Sequence, residues 1–168
     1  DVSHIEQELG WRPQVSLATL ENLAHFCLAN GHLLNIEIKP TPGTERETGE
    51  AVARLAARLW QGAAIPPLLT SFQAESLAGA RAVQPELPRG LLLDTLRDGW
   101  LAAATGLDCA AVVCNHALWD AATVAQVQGA GMRALSYTVN DEWAAERLVE
   151  LGTDGIITDR VDLFSPAG

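Results

Sequence analysis

A chain of 168 residues with 48% hydrophobic and 19% charged side chains can build one folded domain with a substantial core, and is too apolar for intrinsic disorder. Its formal net charge of −10 argues against a nucleic-acid backbone as partner, because that kind of binding rests on basic clusters that release counterions. No apolar run is long enough to span a bilayer as a helix.

Residues 1–16 form an atypical opening, and a regular pattern begins at residue 17. Helical spacing of Ala, Leu, Arg and Glu predicts a first helix over 17–30, with Thr19 as a candidate start. The run "LLNIEIK" predicts a strand over 33–39 and is followed by a helix over 46–61. Strand 66–72 precedes helix 73–83, and strand 89–94 precedes helix 97–105. Strand 109–114 leads to a helix over 120–130, capped by Asp120 and ended at the Gly129 to Gly131 turn. Strand 133–139 leads to a helix over 141–151, with Asn140 as its expected cap and Gly152 closing it; strand 154–158 is the last. Cys27, Cys109 and Cys114 show no CxxC spacing, and on one strand Cys109 and Cys114 would face opposite sides. They read as buried, reduced thiols of a cytoplasmic protein.

Strand alternating with helix implies parallel strands joined by right-handed crossovers. An open doubly wound sheet and a closed (β/α)8 barrel both satisfy that. No GxGxxG or GxxxxGK[ST] follows any strand, which disfavours the doubly wound sheet. Nearly every strand also ends in polar residues: Glu37 and Lys39, Thr70 and Ser71, Asp94, Asn115 and His116, Thr138 and Asn140, Asp159. Barrels collect functional groups at those ends. The α/β fold expected is therefore a TIM (β/α)8-type barrel in which about six of the eight strand–helix units are present. The other two are expected before residue 17, so the chain reads as one domain, residues 1–168, that is a barrel without its beginning. Its unpaired strand edges would then favour self-association.

Lys39 is the chain's single lysine, and it stands two residues from Glu37 inside an apolar run. Period-two alternation puts Asn35, Glu37 and Lys39 on one face and Leu34, Ile36 and Ile38 on the other. Charged groups pointing into a barrel need a partner or a ligand. A mutual salt bridge meets that need. So does a division of labour in which Glu37 binds a divalent cation and Lys39 meets an anion such as phosphate. Periodicity alone leaves both open.

The stretch "NIEIKPTPGTERETG" resembles the signature of the glycerophosphodiester phosphodiesterase family, in its bacterial cytoplasmic type. "PPLLTSFQAESL", "PELPRGLLLD", "CNHALWDAATVAQVQGAGMRALSYTVND" and "ERLVELGTDGIITDRVDLF" are similar to the segments that follow it there, in the same order over residues 17–166. The resemblance implies a (β/α)8 barrel and metal-dependent hydrolysis of a glycerophosphodiester, such as glycerophosphocholine, to sn-glycerol 3-phosphate and an alcohol. It implies Ca²⁺ or Mg²⁺ as cofactor, Glu37 as a metal ligand and Lys39 as the catalytic group facing phosphate. Ser71 and Phe72 match the family's Ser-Phe strand end. Tyr137, Thr138 and Asn140 match a pocket-lining strand end, so Phe72, Tyr137 and Asn140 are the expected substrate-binding residues.

The chain departs from the family in one respect. The His-Arg pair, the Glu-x-Asp pair and the His-Asp pair expected near the first two strands are missing: His4 precedes Ile5, His25 precedes Phe26, His32 precedes Leu33 and His116 precedes Ala117. His116 follows a strand end and reads as a loop residue. The opening "SHIEQELGWRPQVSLATLENL" also resembles a tail pattern of extended nucleotide-sugar epimerases and dehydratases, without their cofactor motifs. Two functions follow. One is an incomplete phosphodiesterase acting on a small-molecule glycerophosphodiester. The alternative is a barrel without chemistry, acting as a binding or scaffold protein.

Overall fold

The computed structural model describes residues 19–164. The atypical opening, residues 17–18 of the first helix and residues 165–166 of the last segment lie outside them. The chain divides into two compact units, Asp1–His32 and Leu33–Gly168.

In the first unit, helix α1 (Leu20–Asn30) starts where Thr19 predicts it. The Thr19 hydroxyl accepts the Asn22 N–H at 3.2 Å, satisfying one of the amides a helix start leaves open. Gly31, at φ +69°, ends the helix and returns its N–H to the Cys27 carbonyl. His25 and His32 are exposed.

The second unit holds six strands, β1 (Asn35–Glu37), β2 (Leu68–Ser71), β3 (Arg89–Leu93), β4 (Ala111–Asn115), β5 (Arg133–Tyr137) and β6 (Gly155–Ile156). Between them run α2 (Glu45–Leu59), α3 (Ala74–Val83), α4 (Trp100–Gly106), α5 (Ala121–Gly129) and α6 (Glu142–Glu150). All five strand pairings are parallel and the spatial order is β1-β2-β3-β4-β5-β6. A doubly wound sheet would reverse its order at a switch point; an unbroken sequential order is that of a barrel wall. The second unit is thus a half-barrel of six parallel strands alternating with helices. Among the described residues β1 pairs only with β2 and β6 only with β5. Both edge strands are shorter than predicted. Single backbone bonds nevertheless prolong their ladders, from Ile38 N–H to the Thr70 carbonyl at 2.7 Å and from Ile157 N–H to the Ser136 carbonyl at 2.7 Å.

The sheet is apolar on both faces, which is why its strands read as near-continuous hydrophobic runs. On the helix side Leu91, Val112, Cys114 and Ala134 pack with Leu77, Val124, Val127 and Leu148. Ile38 and Leu69 pack with Ala53, Ala56 and Ala80 at the other end. On the concave side Leu92, Ala111 and Val113 form a smaller cluster with Leu135 and Tyr137. Helices α2 and α3 cross so closely that a Cβ on Gly49 would overlap the Ser76 backbone, and one on Gly79 would overlap the Arg46 backbone. The Ser76 hydroxyl, donating to the Glu45 carbonyl at 3.0 Å, ties the same crossing.

Three expectations need correction. Cys109 and Cys114 join one cluster on the helix side, because β4 begins at Ala111 and Cys109 precedes it. The cap of α6 is Asp141, since the Asn140 amide is engaged elsewhere. Helix α4 starts at Trp100 rather than residue 97, because Gly99 at φ +83° extends the loop before it. The Asp120 cap holds as expected, in a reciprocal box with Thr123. All three cysteines are buried and unpaired. No helix of the described residues is long and apolar enough to cross a membrane.

Candidate active site

Parallel strands bring their carboxyl ends to one rim, and the polar residues there follow from strand length and period. At the end of β1, Glu37 and Lys39 share the face opposite Ile36 and Ile38, which are packed under α2 and α3. Lys39 Nζ lies 3.5 Å from Glu37 Oε2. The Lys39 side chain is 78% exposed and that of Glu37 34% exposed, so the pair is loose and wet. Asn35, one pleat earlier on that face, accepts the Thr70 hydroxyl at 3.0 Å. The turn that follows is held by Glu45, whose carboxylate accepts the Gly43 N–H at 3.0 Å. That bond holds the Glu45 carboxyl below the usual carboxylate range.

At the end of β2 the Ser71 hydroxyl donates to the Ile38 carbonyl at 2.8 Å and accepts the Gln73 N–H at 3.1 Å. It staples β1 to β2 and leaves the next residue, Phe72, 44% exposed at the rim. The Tyr137 ring meets Phe72 edge-on, with centroids 5.8 Å apart and planes at 87°. Its hydroxyl donates to the Leu93 carbonyl at 2.9 Å, tying β5 to β3 across β4. Burial raises the Tyr137 phenol above its ordinary range, and the Asp94 and Glu37 carboxylates add to that, so it stays a neutral donor.

A cavity of about 300 Å³ opens between these groups, lined by Glu37, Lys39, Ser71, Phe72 and Gln73 among others. A second, of about 480 Å³, lies across Phe72 and Gln73, where Leu93, Asp94, Arg97, Asp98 and Trp100 form much of its wall. Of the five residues expected from sequence, Glu37, Lys39 and Phe72 line the smaller cavity, and Tyr137 reaches it through the Phe72 ring. Asn140 lines neither. Its Oδ1 accepts the Asp159 N–H at 3.0 Å and the Thr158 hydroxyl at 3.2 Å, and its Nδ2 donates to Asp159 at 3.2 Å. It thereby fastens the end of β5 to the end of β6. The His116 ring leans on Trp143, with centroids 6.3 Å apart.

Sequence reasoning missed the larger cavity. Gln73, Arg97 and Trp100 show no periodicity, and the one signal was the polar run "DTLRDG" directly after β3. Among the described residues no three His, Cys, Asp or Glu side chains cluster closely enough to hold a metal ion.

The family model described as "Glycerophosphoryl diester phosphodiesterase family" matches residues 3–163. That match begins inside the atypical opening segment. Among solved structures, an Oleispira antarctica phosphodiesterase in complex with the product sn-glycerol-3-phosphate superposes with a TM-score of 0.74. It is 29% identical over 84% of this chain and 57% of its own. The glycerophosphodiester phosphodiesterase of Thermotoga maritima gives a TM-score of 0.69 at 19% identity, over 97% of this chain and 67% of its own. That of Agrobacterium tumefaciens gives 0.68 at 19% identity, over 88% and 61%. The last two likenesses concern the fold alone. The chain spans little more than half the length of the Oleispira protein, 57%. No curated protein matches it.

Proposed function

The chain belongs to the glycerophosphoryl diester phosphodiesterase family, and from that premise we propose that it supplies one wall of the site that hydrolyses glycerophosphodiesters to sn-glycerol 3-phosphate and an alcohol. The product bound by the Oleispira protein supports the substrate class. The observation that carries the reading is the Lys39 ammonium, 78% exposed on the concave side of a strand end, beside the Glu37 carboxylate and an uncovered aromatic ring.

A phosphodiester resists attack because its charge repels nucleophiles, and a positive group beside its oxygens offsets that charge as it grows in the transition state. Lys39 would do so, a reading supported by its loose and largely exposed pairing to Glu37. Phe72 and Tyr137 give the carbon backbone of the substrate an apolar wall. The second amide hydrogen of Asn140 serves a substrate oxygen, while its other bonds hold the rim. A bound Ca²⁺ or Mg²⁺ would act as a Lewis acid on the phosphoryl oxygens. Glu37 is the carboxylate proposed for it, but one carboxylate falls short of the six or so oxygens such ions take. The described residues do not by themselves make that site.

A second reading rests on that shortfall, together with the position of His116 against Trp143: a barrel that binds glycerophosphodiesters without cleaving them. The buried, unpaired thiols support a cytoplasmic setting. The edges of β1 and β6 support self-association as the way this chain covers them; sedimentation of a stable dilute monomer would count against that. The functional test compares this chain with an N-terminally extended one on glycerophosphocholine, with Ca²⁺ or Mg²⁺ added. Hydrolysis by the extended chain and none by the short one is expected. Folded, substrate-binding but inactive extended protein would favour the second reading.

A further inference from the structure

The ladder between β1 and β2 skips a rung at the rim. In a parallel pair, alternate residues of one strand bond to the same neighbour. On β2 the residues turned to β1 are Leu68, which donates its N–H to the Leu34 carbonyl at 3.0 Å, and Thr70, which accepts the Ile38 N–H at 2.7 Å. Glu37 stands opposite Thr70, so the next rung would run from the Phe72 N–H to the Ile38 carbonyl. The Ser71 hydroxyl takes that carbonyl instead, at 2.8 Å, and its oxygen accepts the Gln73 N–H at 3.1 Å. Among the described residues the Phe72 N–H meets no acceptor. We propose that this main-chain N–H is a second contact for the phosphoryl group at Lys39, and that Ser71 is the positioning residue that keeps it free. The inference rests on the reading of Lys39 as the phosphate contact.

Three features carry it. The first is direction. The alternation of the ladder turns the Phe72 N–H towards β1, where Lys39 stands, and both residues line the smaller cavity. The second is solvation. Phe72 is exposed, so water answers its N–H and can be exchanged for an anionic oxygen; the same N–H left unanswered in the core would be costly. Ser71 is fully buried, with its hydroxyl engaged on both sides. It therefore acts through the carbonyl it occupies rather than on a ligand. The third is the pairing of donors. A lysine ammonium is a point charge on a flexible stem, whereas a main-chain N–H is held in one direction by its strand. Together they hold one phosphoryl group from two strands, the ammonium supplying charge and the amide orientation. An alanine in place of Ser71 would return the Ile38 carbonyl to Phe72 and close the donor off.

Nuclear magnetic resonance on this chain tests the proposal without requiring catalysis. The probe is sn-glycerol 3-phosphate, and sodium chloride of equal ionic strength is the control. In the free protein the Phe72 amide should exchange readily with solvent while the Ile38 amide is protected. The probe should move the Phe72 amide proton downfield, together with the amides of Glu37 and Lys39, and chloride should not. Ser71→Ala separates positioning from mere support. Its loss should let Phe72 bond to Ile38, so that exchange at Phe72 slows and the probe binds about ten-fold more weakly, the order expected for one hydrogen bond to a charged group. Ser71→Thr, which keeps the hydroxyl, should behave as the native chain on both counts. Faster exchange at Phe72 and Ile38 alike in Ser71→Ala would make Ser71 a staple only and overturn the proposal. So would a probe that shifts the Glu37 and Lys39 amides of the native chain and leaves Phe72 still, a result that holds whether or not the variants fold. No response at Lys39 or Phe72 would instead strike at the function proposed above, and at this contact with it.

Discussion

Arg89 and Lys39 stand at opposite ends of the same sheet, one at the start of β3 and the other just past the end of β1. Each is a single positive charge beside an apolar run, and from sequence the two look alike. Arg89 is 2% exposed and makes five hydrogen bonds, to the carbonyls of Leu107, Pro85, Leu87 and Asp108 and to the Asp108 carboxylate. Asp108 adopts φ +54° to present both its oxygens, a conformation Asp tolerates better than most residues. Lys39 is 78% exposed with one ion pair at 3.5 Å. A buried cation whose donors are all answered closes the floor of the half-barrel. A cation whose donors face water is available to a ligand. The same charge does structural work at one end and is proposed to meet phosphate at the other, and what separates the two is the number of acceptors around it.

Replacing Arg89 tests the structural half with the largest effect. Arg89→Met leaves four carbonyls without their donor, and should lower the unfolding free energy in urea by roughly 3–5 kcal/mol. A loss below about 1 kcal/mol would mean the network is decorative. Next is pH. Burial pushes the Cys109 thiol up to about 11 and the Cys114 thiol up to about 12, from an ordinary 9.0. Both are protonated in the fold while the unfolded chain releases its protons near pH 9, so stability falls as pH rises from about 9 towards 11. The loss should be on the order of 4 kcal/mol by urea titration at successive pH values, and Cys114→Ala should flatten its upper part. Both thiols should also resist Ellman's reagent in the native state at pH 8. Smaller again is Tyr137→Phe, which removes the bond to the Leu93 carbonyl and should cost about 1 kcal/mol. Smallest is Lys39→Met, expected to change stability by less than about 0.5 kcal/mol.

Much of the half-barrel was legible because period and composition act locally. Both faces of the sheet are covered, so β3 and β4 announce themselves as "LLL" and "AVVC", and Thr19 and Asp120 cap the helices they were expected to cap. Asn140 does not cap the last helix as expected because its side chain is taken by Thr158 and Asp159, a partnership between chain segments that no local pattern reveals. The cavity around Trp100 stayed hidden for a related reason. Its walls come from the end of β2, the end of β3 and the first turn of α4, and Gly99 moved that turn by three residues. That Glu37 and Lys39 share a face could be read from alternation alone. The Phe72–Tyr137 contact could not, because it joins strands with two others between them.

The difference between the two cations is tested most directly by giving this chain sn-glycerol 3-phosphate and measuring, on one Lys39→Met preparation, both binding and unfolding. Binding should weaken about ten-fold or more, the usual order for losing a charge-assisted phosphate contact, with the urea midpoint unmoved. Unchanged binding with a clearly lowered midpoint would make Lys39 a second Arg89, a structural cation, and would remove the ground for placing phosphate at this rim.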